Sequence, residues 1–144
     1  MSDATAQPPE PIHLRITSDT AQLKPVRQKV EAFAQSAGFG DVAVGEIGLC
    51  LNEAMANVIR HAYHSQTDKP VEVSARVDER GTLHIAIRDW GEGKAPGMLP
   101  KDPHDPTKPG GLGLVCLGRL MDKVIFTPQP DGMLMEMLKK KVSG

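Results

Sequence analysis

The sequence predicts an α+β fold: a two-layer sandwich with helices on one face of a mixed, mostly antiparallel sheet. Three observations carry that expectation. Residues 71–77 and 82–88 alternate apolar and polar side chains with period two, and Asp78-Glu79-Arg80-Gly81 joins them, which reads as a hairpin. Two earlier stretches, up to about residue 64, instead place apolar residues at helical spacing. The resulting order, βααββαββ, segregates helices from antiparallel strands.

Taken in order, residues 1–11 are polar and rich in proline, and are expected to form a disordered tail ahead of a single domain over 12–144. Ile12-His13-Leu14-Arg15-Ile16 alternates and reads as a strand. A helix is expected from Asp19 or Thr20 to about Ala37, with Leu23, Val26, Val30, Phe33, Ala34 and Ala37 on its apolar face and Pro25 restricting where its first turn lies. Gly38-Phe39-Gly40 ends it. The next helix begins near Val42, with Asp41 as a candidate cap. After the central hairpin, periodicity vanishes between residues 94 and 109, where prolines recur at positions 96, 100, 103, 106 and 109. A loop that long inside a compact domain is usually functional or mobile. A helix from Leu112 to about Met121 and a second hairpin, residues 124–127 and 133–138, complete the chain, with Met133, Met135 and Met137 alternating toward the sheet core.

A chain of 144 residues with 40% hydrophobic and 24% charged residues has the composition of one soluble globular domain. Its formal net charge of −1 gives no electrostatic case for nucleic acid or an anionic membrane. No signal-peptide pattern opens it and no apolar run spans a bilayer, so the cytoplasm is the expected compartment. Cys50 and Cys116 both sit in apolar helical patterns without metal-ligand spacing, as buried thiols do.

The chemistry concentrates on residues 46–64. At about 100° per residue, Glu53 and Asn57 stand one above the other, on a stripe shared with Glu46, Arg60 and His64, while Ile47, Leu51, Ala54 and Val58 cover another face. A carboxylate and a carboxamide on a helix so apolar need partners, and a bound ligand is one supply of them. Downstream, Asp89-Trp90-Gly91-Glu92-Gly93 closes the second central strand. A strand-end aspartate can accept a hydrogen bond from an exocyclic amine such as that of adenine, and the glycines leave room for a flat ring. Gly110-Gly111-Leu112-Gly113-Leu114 then opens a helix, where exposed backbone N–H groups suit phosphate oxygens.

In this order the three motifs resemble those of the GHKL (Bergerat-fold) ATPase superfamily, most closely its stand-alone serine kinases that act as anti-sigma factors. The string around Glu53 and Asn57 is similar to the N box, and the two glycine segments to the two glycine boxes. The resemblance implies that Asn57 coordinates a Mg²⁺ bridging the ATP phosphates and that Asp89 reads the adenine amine. It implies that Gly91 and Gly93 floor the adenine pocket, that Gly110, Gly111 and Gly113, with Leu112 and Leu114, shape the phosphate lid, and that Glu53 is the general base. It further implies a sigma factor held inactive, phosphorylation of a Ser or Thr on a STAS-domain anti-anti-sigma partner, and a homodimer. Two positions depart from the pattern. Pro109, preceded by Lys108, stands where many relatives carry a basic residue, and Met133 rather than Thr follows Gly132. They leave open a second reading, a non-catalytic ATP-binding module for partner switching.

Overall fold

The computed structural model describes residues 9–91 and 117–141. Strand β1 (Ile12–Thr17) is followed by a 3₁₀ turn (Thr20–Gln22), helices α1 (Leu23–Ser36) and α2 (Asp41–Asn57), and a π-helical extension (Val58–Ala62). Strands β2 (Pro70–Val77) and β3 (Leu83–Asp89), helical residues 117–120 (α3), and strands β4 (Lys123–Gln129) and β5 (Gly132–Lys139) complete the described chain. The predicted N-terminal tail before residue 9, the loop over 94–109 and Cys116 lie outside the described residues.

The five strands form one sheet in the order β1-β2-β3-β5-β4. Every described pairing is antiparallel, where the sequence suggested a partly mixed sheet. The two helices between β1 and β2 return the chain to the end of the sheet it left, so β2 runs back beside β1. Period-two alternation then sends Val71, Val73, Ala75, Ile85, Ile87, Met135 and Met137 to one face, where they form one core with Val26, Val30, Phe33, Ile47, Leu51 and Ala54 of the helices. Burying side chains of this size contributes roughly 1.5–3 kcal/mol each, and this core fixes the position of α2 over the sheet.

Local chemistry sets the element ends. Asp19 accepts a hydrogen bond from the Ala21 N–H at 2.9 Å and starts the 3₁₀ turn, so α1 proper begins four residues later than the polar signal, with Pro25 in its first turn. Helix α2 starts at Asp41 itself: Gly40 is its extended N-cap, and Asp41 lies in the first turn, where its charge favours the helix dipole. Ser18, fully buried, donates to the Gln66 carbonyl and accepts from the Lys69 N–H, tying the start of the helical layer to the turn before β2. The stretch Asp41–Ala62 is long and apolar enough to resemble a membrane span by length and composition alone, yet half of that stretch is buried inside the domain.

Two of the terminal lysines, Lys139 and Lys141, turn back onto the helical layer. Lys141 donates to the Ala37 carbonyl at the C-terminus of α1, 3.0 Å away. Lys139 donates to the Leu120 carbonyl at 2.5 Å and pairs with Glu46 on α2 at 3.2 Å. Alternation on β5 puts position 139 on the helix-facing side, so its ammonium meets helix ends rather than water.

Candidate nucleotide site

The site lies where α2 and its extension meet the ends of β3 and β5. Asp89 is the last residue of β3, paired with Val71 on one side and Met133 on the other, and is only 3% exposed. Its Oδ1 accepts the Gly91 N–H at 3.0 Å. Burial pushes the Asp89 carboxyl above its ordinary value, opposed by the Gly91 N–H, the Arg88 charge and the Met133 N–H. A carboxylate held on backbone donors at the mouth of a core has a fixed direction, as an amine-reading group requires.

Four devices hold that strand end. The Tyr63 hydroxyl, at the end of the long helix, donates to the Pro70 carbonyl at 2.6 Å and accepts from the Trp90 N–H at 2.7 Å. Burial, the largest influence, raises the Tyr63 pKa, so the hydroxyl keeps its proton. Gly91 lies so close to the helix that a Cβ there would sit 2.3 Å from the Ala62 carbonyl oxygen. Gly132, at φ +134°, lies so close to β3 that a Cβ would sit 2.0 Å from the Asp89 carbonyl oxygen. Arg88 adds hydrogen bonds to that same carbonyl and, at 2.7 Å, to Asp131 of the β4–β5 turn. Gly132→Ala would combine a left-handed backbone with a backbone clash; it is expected to destabilise the fold by roughly 2–3 kcal/mol. Urea denaturation reads this directly, and an unchanged midpoint would show that the turn relaxes freely.

On α2, Glu53 and Asn57 are one turn apart and both partly exposed, so they share the open side of the helix. The stripe inferred for them divides, however. Glu46 turns to Lys139, and beyond Asn57 the helix widens into the π segment, which changes the angular spacing of the residues that follow. Such π segments often occur at functional sites. Arg60, exposed, reaches back so that its Nη2 donates to Asn57 Oδ1 at 2.8 Å. Two residues in the left-handed region, His64 and Ser65, end the segment, with the Ser65 N–H on the Ile59 carbonyl. Burial, then the charges of Arg60 and His64, lowers the His61 pKa, which favours a neutral ring at pH 7.

Thus the structure brings Glu53 and Asn57 together on one turn and places Asp89 and Gly91 at the end of the same helix. Gly93, Gly110, Gly111, Leu112, Gly113 and Leu114 lie outside the described residues. Trp90 lies away from the Asp89 side: its ring stacks on Arg88 at 4.5 Å and on Arg15 at 5.7 Å, both on the outer sheet face. Sequence reasoning missed Tyr63 and the Arg60–Asn57 bond. The three-residue helical spacing of the latter pair was a signal for it; Tyr63 gave none, because its partners lie 7 and 27 residues away.

Among the described residues no group of three or more His, Cys, Asp or Glu side chains could hold a metal ion. The Asn57 Oδ1, which accepts from Arg60, is an amide oxygen of the kind that could join a cation carried in mostly by phosphate oxygens and water, as Mg²⁺ is.

Residues 16–139 match the family model of the histidine kinase-like ATPase domain. The anti-sigma F factor of Heyndrickxia coagulans is 33% identical over 97 residues, 65% of this chain and 66% of that one. The anti-sigma F factor of Geobacillus kaustophilus is 26% identical over 136 residues, 92% of each chain. The serine-protein kinase RsbW of Bacillus licheniformis is 31% identical over 108 residues, 69% of this chain and 66% of that one. Among solved structures, the RsbU and RsbW domains of a Mycobacterium tuberculosis protein superpose with a TM-score of 0.70 at 14% identity, over 92% of this chain and 33% of theirs. That last likeness concerns the fold.

Proposed function

The chain belongs to the histidine kinase-like ATPase domain family, and on that premise we propose that it is an ATP-dependent serine/threonine protein kinase that doubles as an anti-sigma factor. The observation that carries the reading is Asp89: a buried carboxylate fixed by backbone donors at a strand end, directly beside a glycine pressed against the helix that bears Glu53 and Asn57. The matched relatives named as anti-sigma F factors and a serine-protein kinase support it.

In this reading the outer Asp89 oxygen accepts the adenine amine, and Gly91, having no side chain, lets the strand end close onto Ala62 and so fixes the floor of the ring's place. Asn57 would ligate Mg²⁺, which neutralises phosphate charge when bound. Arg60, released from Asn57, supplies a cation near the phosphates in a chain whose residue 109 is proline. Glu53, one turn away, takes the proton from the attacking Ser or Thr hydroxyl as its oxygen bonds to the γ-phosphorus and the bond to the β,γ-bridging oxygen breaks. The proposed acceptor is a STAS-domain anti-anti-sigma protein. In its unphosphorylated form that partner would compete with a sigma factor for a homodimer of this protein in the cytoplasm.

Incubating the protein with Mg²⁺, γ-labelled ATP and the STAS-domain protein encoded beside it is expected to place label on a Ser or Thr of that protein. ATP binding without any transfer to the genuine partner would instead support a non-catalytic switching module.

A further inference from the structure

The helices cover one face of the sheet, and among the described residues none covers the other. On that outer face the strand register sets four side chains of β4 and β5 at the corners of a square, Lys123 opposite Leu138 and Ile125 opposite Glu136. Glu136 stands among apolar neighbours: Leu134 and Leu138 on its own strand and Ala86 beside it on β3, all half-buried. The two basic residues that flank Ala86 turn toward opposite ends of β3 instead. Arg88 pairs with Asp131 at 2.7 Å, and His84 with Asp78 at 2.9 Å. Among the described residues, neither the Glu136 carboxylate nor the exposed Lys123 ammonium makes a hydrogen bond or an ion pair.

An acid and a cation on one diagonal of the square, with two apolar residues on the other, make a patch complementary to a copy of itself. A two-fold axis between two such faces, along the Ile125–Leu138 diagonal, brings each Glu136 over the other copy's Lys123 and sets Ile125 and Leu138 on their own counterparts. We propose that the outer face of β4 and β5 is a homodimer interface, occupied by a second copy of the chain packed sheet on sheet. This rests on the homodimer of the proposed function and assigns that dimer its surface. Five strands about 4.8 Å apart offer a footprint of roughly 500 Å² per copy, which puts the contact at the low end of specific interfaces. In so small a contact the two ion pairs decide whether the copies associate, because like charges set against each other would oppose it. Glu53, Asn57 and Asp89 belong to the helix side of the sheet, so the dimer does not compete with nucleotide.

The test is sedimentation equilibrium on the wild type, Glu136→Lys and Lys123→Glu, each alone, and then on the two variants mixed, at low salt so that the charges are little screened. The wild type is expected to dimerise in the micromolar range. Each variant alone sets like charges against each other at both contacts, and its dissociation constant should rise roughly tenfold or more. Mixing the variants restores opposite charges at both contacts, so a heterodimer should form with close to the wild-type affinity. A damaged fold could not be rescued in this way. Single variants that dimerise like the wild type, or a mixture that stays monomeric, overturn this surface while leaving the homodimer to another face. Should either variant fail to fold, Glu136→Gln decides: it should weaken association a few-fold, and unchanged association counts against the proposal. A wild type that stays monomeric throughout the micromolar range would refute the homodimer reading itself, and this surface with it.

Discussion

Asp89→Asn is expected to lower ATP affinity at least tenfold while the nucleotide-free protein melts no lower than wild type at pH 7. The two halves have different causes. Affinity falls because the acceptor for the adenine amine loses its charge, and a hydrogen bond to a charged group contributes roughly 1.5–3 kcal/mol. Stability holds because burial raises the Asp89 pKa above its ordinary 3.8. A carboxyl with a raised folded-state pKa favours the fold fully only below its unfolded value, and that contribution is lost as pH rises through the folded one. At pH 7 the charged carboxylate is therefore a liability to the empty protein, and the neutral amide removes it. The difference in melting temperature between variant and wild type should shrink as pH falls toward 4. Calorimetric titration with ATP and thermal melts at both pH values check this. Unchanged affinity would reduce Asp89 to a structural strand-end residue, and a large fall in the melting temperature would mean that the carboxylate supports the fold.

Glu53→Gln is expected to separate binding from chemistry. The amide has the size of the carboxylate but cannot take a proton from the substrate hydroxyl, and removing a positioned base slows such steps roughly 10²–10⁴-fold. Asn57 and Asp89 are untouched, so Mg·ATP should bind within a few-fold of wild type. Both quantities need measuring on one preparation: ATP affinity and the initial rate of phosphate transfer to the STAS-domain partner. Transfer at the wild-type rate would remove Glu53 from the chemistry. A parallel collapse of ATP affinity would show that its carboxylate acts in binding.

The elements were legible because their signals are local. Alternation in residues 71–77 and 82–88 needs only a pleated strand with one buried face, and the structure returns the first with Pro70 added at its start and the second shifted by one residue, to Leu83–Asp89. The methionine row on β5 faces the core as its period-two spacing requires. Where the reading slipped, the deciding partner lay far along the chain or in the backbone. Asp41 looked like a cap, but the extended conformation of Gly40 takes that place. Nothing in three consecutive lysines reveals that the first and third turn back onto the helical layer. The place of the Trp90 ring was set by two arginines of the outer sheet face, Arg15 and Arg88, which lie 75 and two residues away along the chain.

The sequence by itself determined the order of elements, the helix that carries Glu53 and Asn57 and the strand end that carries Asp89, since each follows from spacing within a few residues. Only the tertiary structure decided how these meet. The backbone of Gly91 approaches Ala62, and Tyr63 bridges Pro70 and Trp90. Arg60 holds Asn57, while Glu46 leaves the stripe for Lys139. Each depends on a contact or a change of helical pitch created by packing α2 against the sheet, and one-dimensional periodicity carries no information about which buried polar group will satisfy which other.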